Sequence, residues 1–132
     1  MAWINPTAAS GWTNSANAID ENTSTSANNS AVADGNTDNL VFTFTSISVD
    51  KIRLYNTATG AFSSKITIQY YDTSWHTAVS AQPWTRDTWE EFSMGAVCTG
   101  ITSIRIYFTI MIPQHVVSTA VRQRLTAMPS RL

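Results

Sequence analysis

The sequence predicts an all-β protein, an antiparallel β-sandwich of the jelly-roll type. Apolar and polar residues alternate over several short runs, and in the clearest run, 101–107, Ile104 and Ile106 alternate with polar neighbours. Turn-forming residues separate the runs, and no helical pattern precedes residue 114. This pattern favours two packed antiparallel sheets and excludes a parallel α/β fold.

Length and composition limit the chain to one folded domain. A chain of 132 residues can bury a sizeable core, and 43% hydrophobic with 13% charged residues suits a globular protein. A net charge of -1 offers no basic surface to nucleic acid, and no apolar run reaches membrane-spanning length. Residues 1–6 lack a basic start followed by an apolar run, so no secretory signal is expected. We therefore expect neither a nucleic acid nor a membrane as partner.

The strand-like runs all lie between residues 40 and 112. They are 40–44, 49–55, 65–71, 75–79, 89–94 and 101–112. Residues 1–39 are rich in Ala, Ser, Thr and Asn, which predicts loops with one short strand. We therefore place the jelly-roll domain at 1–112.

The tail, residues 113–132, has a different composition. It contains three arginines and no acidic residue. Its apolar residues recur at spacings of four, four and three, which predicts a helix over 114–128; they are Val117, Val121, Leu125 and Met128. A helix in place of a closing strand leaves the sandwich with an open edge and an apolar stripe to bury. Both favour self-association, so we expect a homo-oligomer formed through residues 109–132.

The sequence contains no pattern typical of an enzyme. Catalysis requires a nucleophile beside a base, or two carboxylates acting together. His76 lies in a strand-like run and His115 in the tail, and neither completes such a group. Glu90 and Glu91 are sequence neighbours, so on a strand they point to opposite faces. The single cysteine, Cys98, lies in an apolar stretch and is expected to be buried.

Aromatic residues supply the candidate ligand-binding residues. The chain has five tryptophans, and large aromatic faces stack on sugar rings. Trp84 lies in a polar loop together with Arg86, which could donate hydrogen bonds to hydroxyl groups. Trp12 and Tyr55 are further candidates, whereas Trp75 is expected to be structural.

The segment 20–25 concentrates oxygen donors. Asp20, Asn22 and Thr25 belong to it, and a loop of this kind can surround a calcium ion. The alternative is a polar turn in which Asp and Asn side chains bond their own backbone. The residues alone leave both interpretations open.

Several segments together resemble the galactose-binding-like jelly rolls, which include discoidin-type C domains and many carbohydrate-binding modules. Residues 18–25 resemble the family's Ala-x-Asp-Gly-Asn-x-x-Thr loop. The others are similar to a first core strand, a hairpin with an Asp turn and a Trp, and a late core strand; they are 49–55, 66–79 and 104–108. The resemblance extends over residues 8–108. Residues 5–18 also look like modules of phage and prophage tail proteins.

The resemblance implies a function and a metal site. It implies a non-catalytic, carbohydrate-binding module, with a structural or receptor-binding module of a phage tail as the alternative. It also implies a structural calcium ion held by Asp20, Asn22 and Thr25. The family's closing strand carries a glutamate that completes this site, and this chain has no acidic residue after Glu91.

Overall fold

The computed structural model describes residues 4–20, 25–32, 35–56, 64–110, 116–121 and 126–128. These residues form an all-β protein, which confirms the predicted class. The strands are β1 (Ala8–Ser10), β2 (Ala27–Val32), β3 (Leu40–Asn56), β4 (Ser64–Tyr71), β5 (Trp75–Gln82), β6 (Thr88–Ile110), β7 (Val116–Val121) and β8 (Thr126–Met128). A short 3₁₀ helix, Ser15–Ala18, lies between β1 and β2. Within these ranges no helix has the length and hydropathy needed to cross a membrane.

The strands form two antiparallel sheets. The larger sheet has six strands in the order β1-β3-β6-β4-β5, with β8 also paired to β3. The smaller sheet consists of β2 and β7. Strand β6 lies between β3 and β4, so the central pairings join strands that are distant in the chain.

Two strands are longer than the sequence suggested. The runs 40–44 and 49–55 were expected to be separate strands, but they form the single 17-residue strand β3. Likewise 89–94 and most of 101–112 belong to the 23-residue strand β6. Three register shifts between Thr43 and Lys51 interrupt the β3–β6 ladder. Bulges of this kind bend and twist a strand. The register shifts therefore divide the β3–β6 pair into two halves, one on each side of them.

The two halves of β3 and β6 bury one continuous core. Its central residues come from alternate positions of β3, β4 and β6 and are fully buried; they are Leu40, Phe42, Ile52, Leu54, Ile66, Ile68, Ile104, Ile106 and Phe108. Phe92 and Met94, from the first half of β6, belong to the same cluster. This sandwich-like packing follows from the period-2 alternation predicted for these strands.

The N-terminal segment contains more regular structure than expected. Instead of one short strand, residues 4–39 contain β1 and β2. Gly11 follows β1 with a φ of +104, a backbone conformation that favours glycine. A Cβ atom at this position would lie 2.0 Å from the carbonyl oxygen of Asn39. The close approach of these two segments therefore depends on a glycine.

The tail was expected to be helical over 114–128, and for its described residues this prediction is wrong. Residues Val116–Val121 pair with all of β2, and Thr126–Met128 pair with β3 at Lys51–Arg53. Valine-rich segments favour strands, and pairing with β2 and β3 outweighs the helical spacing. Both tail strands pair within the chain, and self-association through residues 109–132 stays a prediction.

We predict that Gly11→Ala destabilises the protein more than Gly95→Ala. Both glycines have positive φ, but a Cβ at Gly95 meets no atom within 4 Å, whereas at Gly11 it meets backbone. Gly95→Ala should lower the free energy of unfolding by about 1 kcal/mol. Gly11→Ala should lower it by more than about 2 kcal/mol because backbone must also move. Urea unfolding measures both values, and equal losses would contradict the close approach.

We also predict that Phe108→Ala lowers the free energy of unfolding by about 3–5 kcal/mol, because the side chain is fully buried. The Phe108 ring contacts the rings of Trp12 and Trp84, so near-ultraviolet circular dichroism should change as well. The control Val97→Ala alters an exposed side chain and should change stability by no more than about 0.5 kcal/mol. Similar losses in the two variants would refute the assignment of Phe108 to the core.

Candidate ligand-binding site

Trp12, expected to stack on a ligand, belongs to the core. Its side chain is buried, with 7% of the residue surface exposed. The indole Nε1 donates a hydrogen bond to the carbonyl oxygen of Asp38 at 2.7 Å, and the ring packs against Phe108. A buried ring offers no face to a sugar, so Trp12 is a structural residue and we leave it out of the site.

Trp84 and Arg86 lie in the loop between β5 and β6. The Trp84 ring is partly buried and packs edge-on against Phe108 at 5.3 Å between centroids. Its Nε1 donates to the Ser64 hydroxyl oxygen at 2.7 Å. Arg86 is exposed. Trp84 therefore packs against the core, and only part of its ring is exposed to solvent.

Tyr55 lies elsewhere, on the second half of β3. Its ring is partly buried and meets Trp89 of β6 edge-on at 5.6 Å. The Arg53 guanidinium carbon lies 5.0 Å from the centre of the Trp89 ring. Trp12 and Trp84 therefore border Phe108, whereas Tyr55 borders Trp89. Among the described contacts, none joins the four predicted residues into one cluster.

The predicted calcium loop is described only in part. Asn22 lies outside the described residues, whereas the Thr25 hydroxyl donates to Asp20 Oδ2. This bond joins two side chains of the segment and decides neither for the calcium loop nor for the polar turn. Calcium takes six to eight oxygen ligands, and the described part of this segment offers the side-chain oxygens of Asp20 and Thr25 toward such a set. Within the described ranges no group of three His, Cys, Asp or Glu residues could hold a metal ion. Calcium binding at this segment stays a prediction.

A surface that the sequence did not single out lies on the larger sheet, opposite the core. Cross-strand register aligns two rows of residues over β1, β3, β6, β4 and β5 in that order. The first row is Ala8, Thr43, Ser103, Tyr71 and Trp75, and the second is Ser10, Val41, Arg105, Gln69 and Thr77. None of them is buried. We call these two rows the outer face.

One end of the outer face carries an aromatic and polar cluster. Trp75 is 37% exposed, and the Arg105 guanidinium carbon lies 3.9 Å from the centre of its ring. The Tyr71 ring is tilted against Trp75 at 5.3 Å. Arg105 Nε donates to Gln69 Oε1 at 2.7 Å, and Gln69 Nε2 donates to the Thr77 hydroxyl oxygen at 3.1 Å. These contacts hold planar polar groups beside an exposed indole ring.

Sequence reasoning missed this cluster because it assigned Trp75 to a structural role. The alternation in β4 did place Gln69 and Tyr71 on the face opposite the core side chains, which was a usable signal. The position of Arg105 beside Gln69 follows only from the pairing of β4 with β6, which joins residues 36 apart in the chain. No local pattern contains this information.

The turn next to the cluster brings together Asp72, Ser74 and His76. His76 Nε2 lies 3.1 Å from Asp72 Oδ1 and 3.3 Å from the Ser74 hydroxyl oxygen, and its ring stacks on Tyr70. In a serine hydrolase triad, different nitrogens of the histidine ring face the serine and the acid. Here the same nitrogen faces both, so the arrangement differs from a triad.

A groove of about 410 Å³ lies between β5 and the first half of β6. Glu90 and Glu91 line it. Glu90 Oε1 accepts a hydrogen bond from the Thr85 amide at 2.8 Å, and Glu91 Oε1 lies 3.7 Å from Lys51 Nζ. The two carboxylates thus bind different partners, and the groove lining contains neither tryptophan nor arginine.

Comparisons of the chain with protein-family models, curated proteins and solved structures find no match. The resemblance to galactose-binding-like jelly rolls therefore stays a prediction. What the structure defines is an all-β protein with an exposed aromatic and arginine cluster on one sheet. A fold alone does not determine a function, so the function must be argued from this cluster.

We predict a lowered pKa for Asp72. The main cause is the hydrogen bond from the Thr73 amide to its carboxylate, and the Ser74 amide and His76 add to it. Because the folded pKa lies below the ordinary value of 3.8, Asp72 stabilises the fold above that pH. This contribution is lost as the pH falls through the folded pKa.

The test is an NMR titration of the Asp72 carboxyl together with unfolding at several pH values. Asp72→Asn should lower the free energy of unfolding near neutral pH and should have less effect in acid. In His76→Gln the two amide bonds remain, so the pKa of Asp72 should stay below 3.8. An Asp72 pKa at or above that value in the folded protein would contradict the turn geometry.

Proposed function

We propose that this protein is a non-catalytic, carbohydrate-binding module and that the outer face binds a saccharide beside Trp75. The observation that carries the proposal is the exposed Trp75 ring, which contacts the Arg105 guanidinium, itself hydrogen-bonded to Gln69. Apolar C–H faces of sugars pack on aromatic rings, and a few fixed polar groups provide orientation and specificity. The cluster offers both kinds of contact.

Rigidity supports the proposal. Trp75, Arg105 and Gln69 lie on three different strands of one sheet, and each contacts another member of the cluster. Side chains already held in place lose little conformational freedom when a ligand binds, which favours affinity.

The remainder of the outer face gives a ligand room. The positions contributed by β1, β3 and the nearest part of β6 carry short or medium side chains; they are Ala8, Ser10, Val41, Thr43 and Ser103. These residues lie beside the larger Tyr71 and Arg105 in the same rows. A saccharide that contacts Trp75 can therefore extend over the short side chains of β1, β3 and β6.

The phage-tail alternative uses the same surface to bind protein. No contact among the described residues favours a protein partner over a saccharide. Tryptophan, tyrosine and arginine are also the residue types enriched in protein interfaces. We therefore treat a protein partner as the alternative outcome of the test.

We predict that a glycan array detects binding by the wild-type protein and that Trp75→Ala weakens it about tenfold or more. The matched control is Trp89→Ala, which removes a partly buried indole that also contacts an arginine. It should retain binding. A chelator should leave binding unchanged, because neither row of the outer face contains a carboxylate.

Three results would refute this proposal. They are silence of the wild-type protein on all glycans, full binding by Trp75→Ala, and loss of binding in Trp89→Ala alone. Silence would favour the protein-binding alternative. Thermal unfolding of each variant verifies that it is folded.

A further inference from the structure

We infer that the saccharide bound at the outer face carries an anionic group and that Arg105 binds this group. The inference rests on the proposed function and specifies its ligand class. It starts from the charge of the outer face. Arg105 is the only charged residue in the two rows, and all other members are neutral.

The guanidinium of arginine is a cation, and Arg105 is partly buried. Among the described residues, no carboxylate lies within ion-pair distance of it. Asp72, the acid at the neighbouring turn, accepts hydrogen bonds from the Thr73 and Ser74 amides and pairs with His76. A partly buried cation without a counter-ion favours the binding of an anion.

The orientation of Arg105 is fixed while most of its donors remain available. Its Nε–H donates to Gln69, and its guanidinium plane is held near the Trp75 ring. The terminal nitrogens make no hydrogen bond to any residue in the described ranges. An arginine restricted in this way presents a fork of N–H donors that matches two oxygens of one anionic group.

Arg53 also contacts a tryptophan, and its surroundings differ from those of Arg105. Arg53 lies over Trp89, and its cross-strand neighbour is Glu91. Glu91 also pairs with Lys51, so this part of the surface contains both signs of charge. The pair Arg53 and Trp89 is therefore a matched internal control for the pair Arg105 and Trp75.

Carboxylate and sulfate are two anionic groups that occur on sugars. Both present oxygens that can accept from two N–H groups of one guanidinium. The array should therefore contain sets of three matched saccharides. The members of a set differ at one sugar unit, which is a neutral hexose, the corresponding uronic acid or the sulfated hexose. Comparison of the two acidic members identifies the anionic group.

We expect the wild-type protein to bind an acidic member at least tenfold more tightly than the matched neutral saccharide. Arg105→Gln should abolish this preference, while Arg105→Lys keeps the charge but loses the planar fork and should retain only part of it. Arg53→Gln should bind as the wild type does. Raising the salt concentration should weaken acidic saccharides more than neutral ones.

The failures of the two proposals are distinguishable. Equal binding of neutral and acidic saccharides, or an acidic preference that persists in Arg105→Gln, would overturn this inference and leave carbohydrate binding intact. Absence of binding to any saccharide would overturn the proposed function itself. Thermal unfolding of Arg105→Gln and Arg105→Lys shows whether a loss arises from misfolding.

Discussion

The pairing of β3 with β6 is the constraint on which the rest of the structure depends. Because side chains alternate along a strand, burying Ile104 and Ile106 in the core forces Arg105 to the opposite face of the sheet. A slip of one residue in this register would exchange the two sets and bury a charge. The candidate site therefore exists because the core exists, and both depend on the same ladder of backbone hydrogen bonds.

The outer face shows how a tryptophan can remain at the surface of a sheet. The Arg105 guanidinium covers part of the Trp75 ring, and the attraction between cation and ring contributes about 0.5–1 kcal/mol at exposed sites. The same pairing recurs between Arg53 and Trp89. The two pairs differ in their charged neighbours, since Glu91 lies opposite Arg53 whereas neutral residues flank Arg105. This difference distinguishes a candidate anion-binding site from a balanced surface.

The tail illustrates the limit of periodicity. Val117, Val121, Leu125 and Met128 fit helical spacing, yet the described parts of the tail are strands paired with β2 and β3. The spacing of apolar residues indicates which side chains can lie on one face of a helix or strand. β-Branched residues with this spacing can therefore form a strand as well as a helix. The described parts of the tail form strands because they pair with the backbone hydrogen-bonding groups of β2 and β3. The same reasoning explains why two pairs of short predicted strands proved to be the long strands β3 and β6, since bulges carry no apolar signature of their own.

The sequence by itself determined the all-β class, the approximate positions of β4 and β5 with the turn between them, and the division of β4 into a core face and a polar face. These properties depend on neighbours a few residues apart, which alternation and turn residues record directly. Only the tertiary structure decided that Trp12 is buried, that Trp75 is exposed and that Arg105 lies between Gln69 and Val41. Cross-strand register joins residues that are far apart in the chain, and no local pattern specifies which of them will meet.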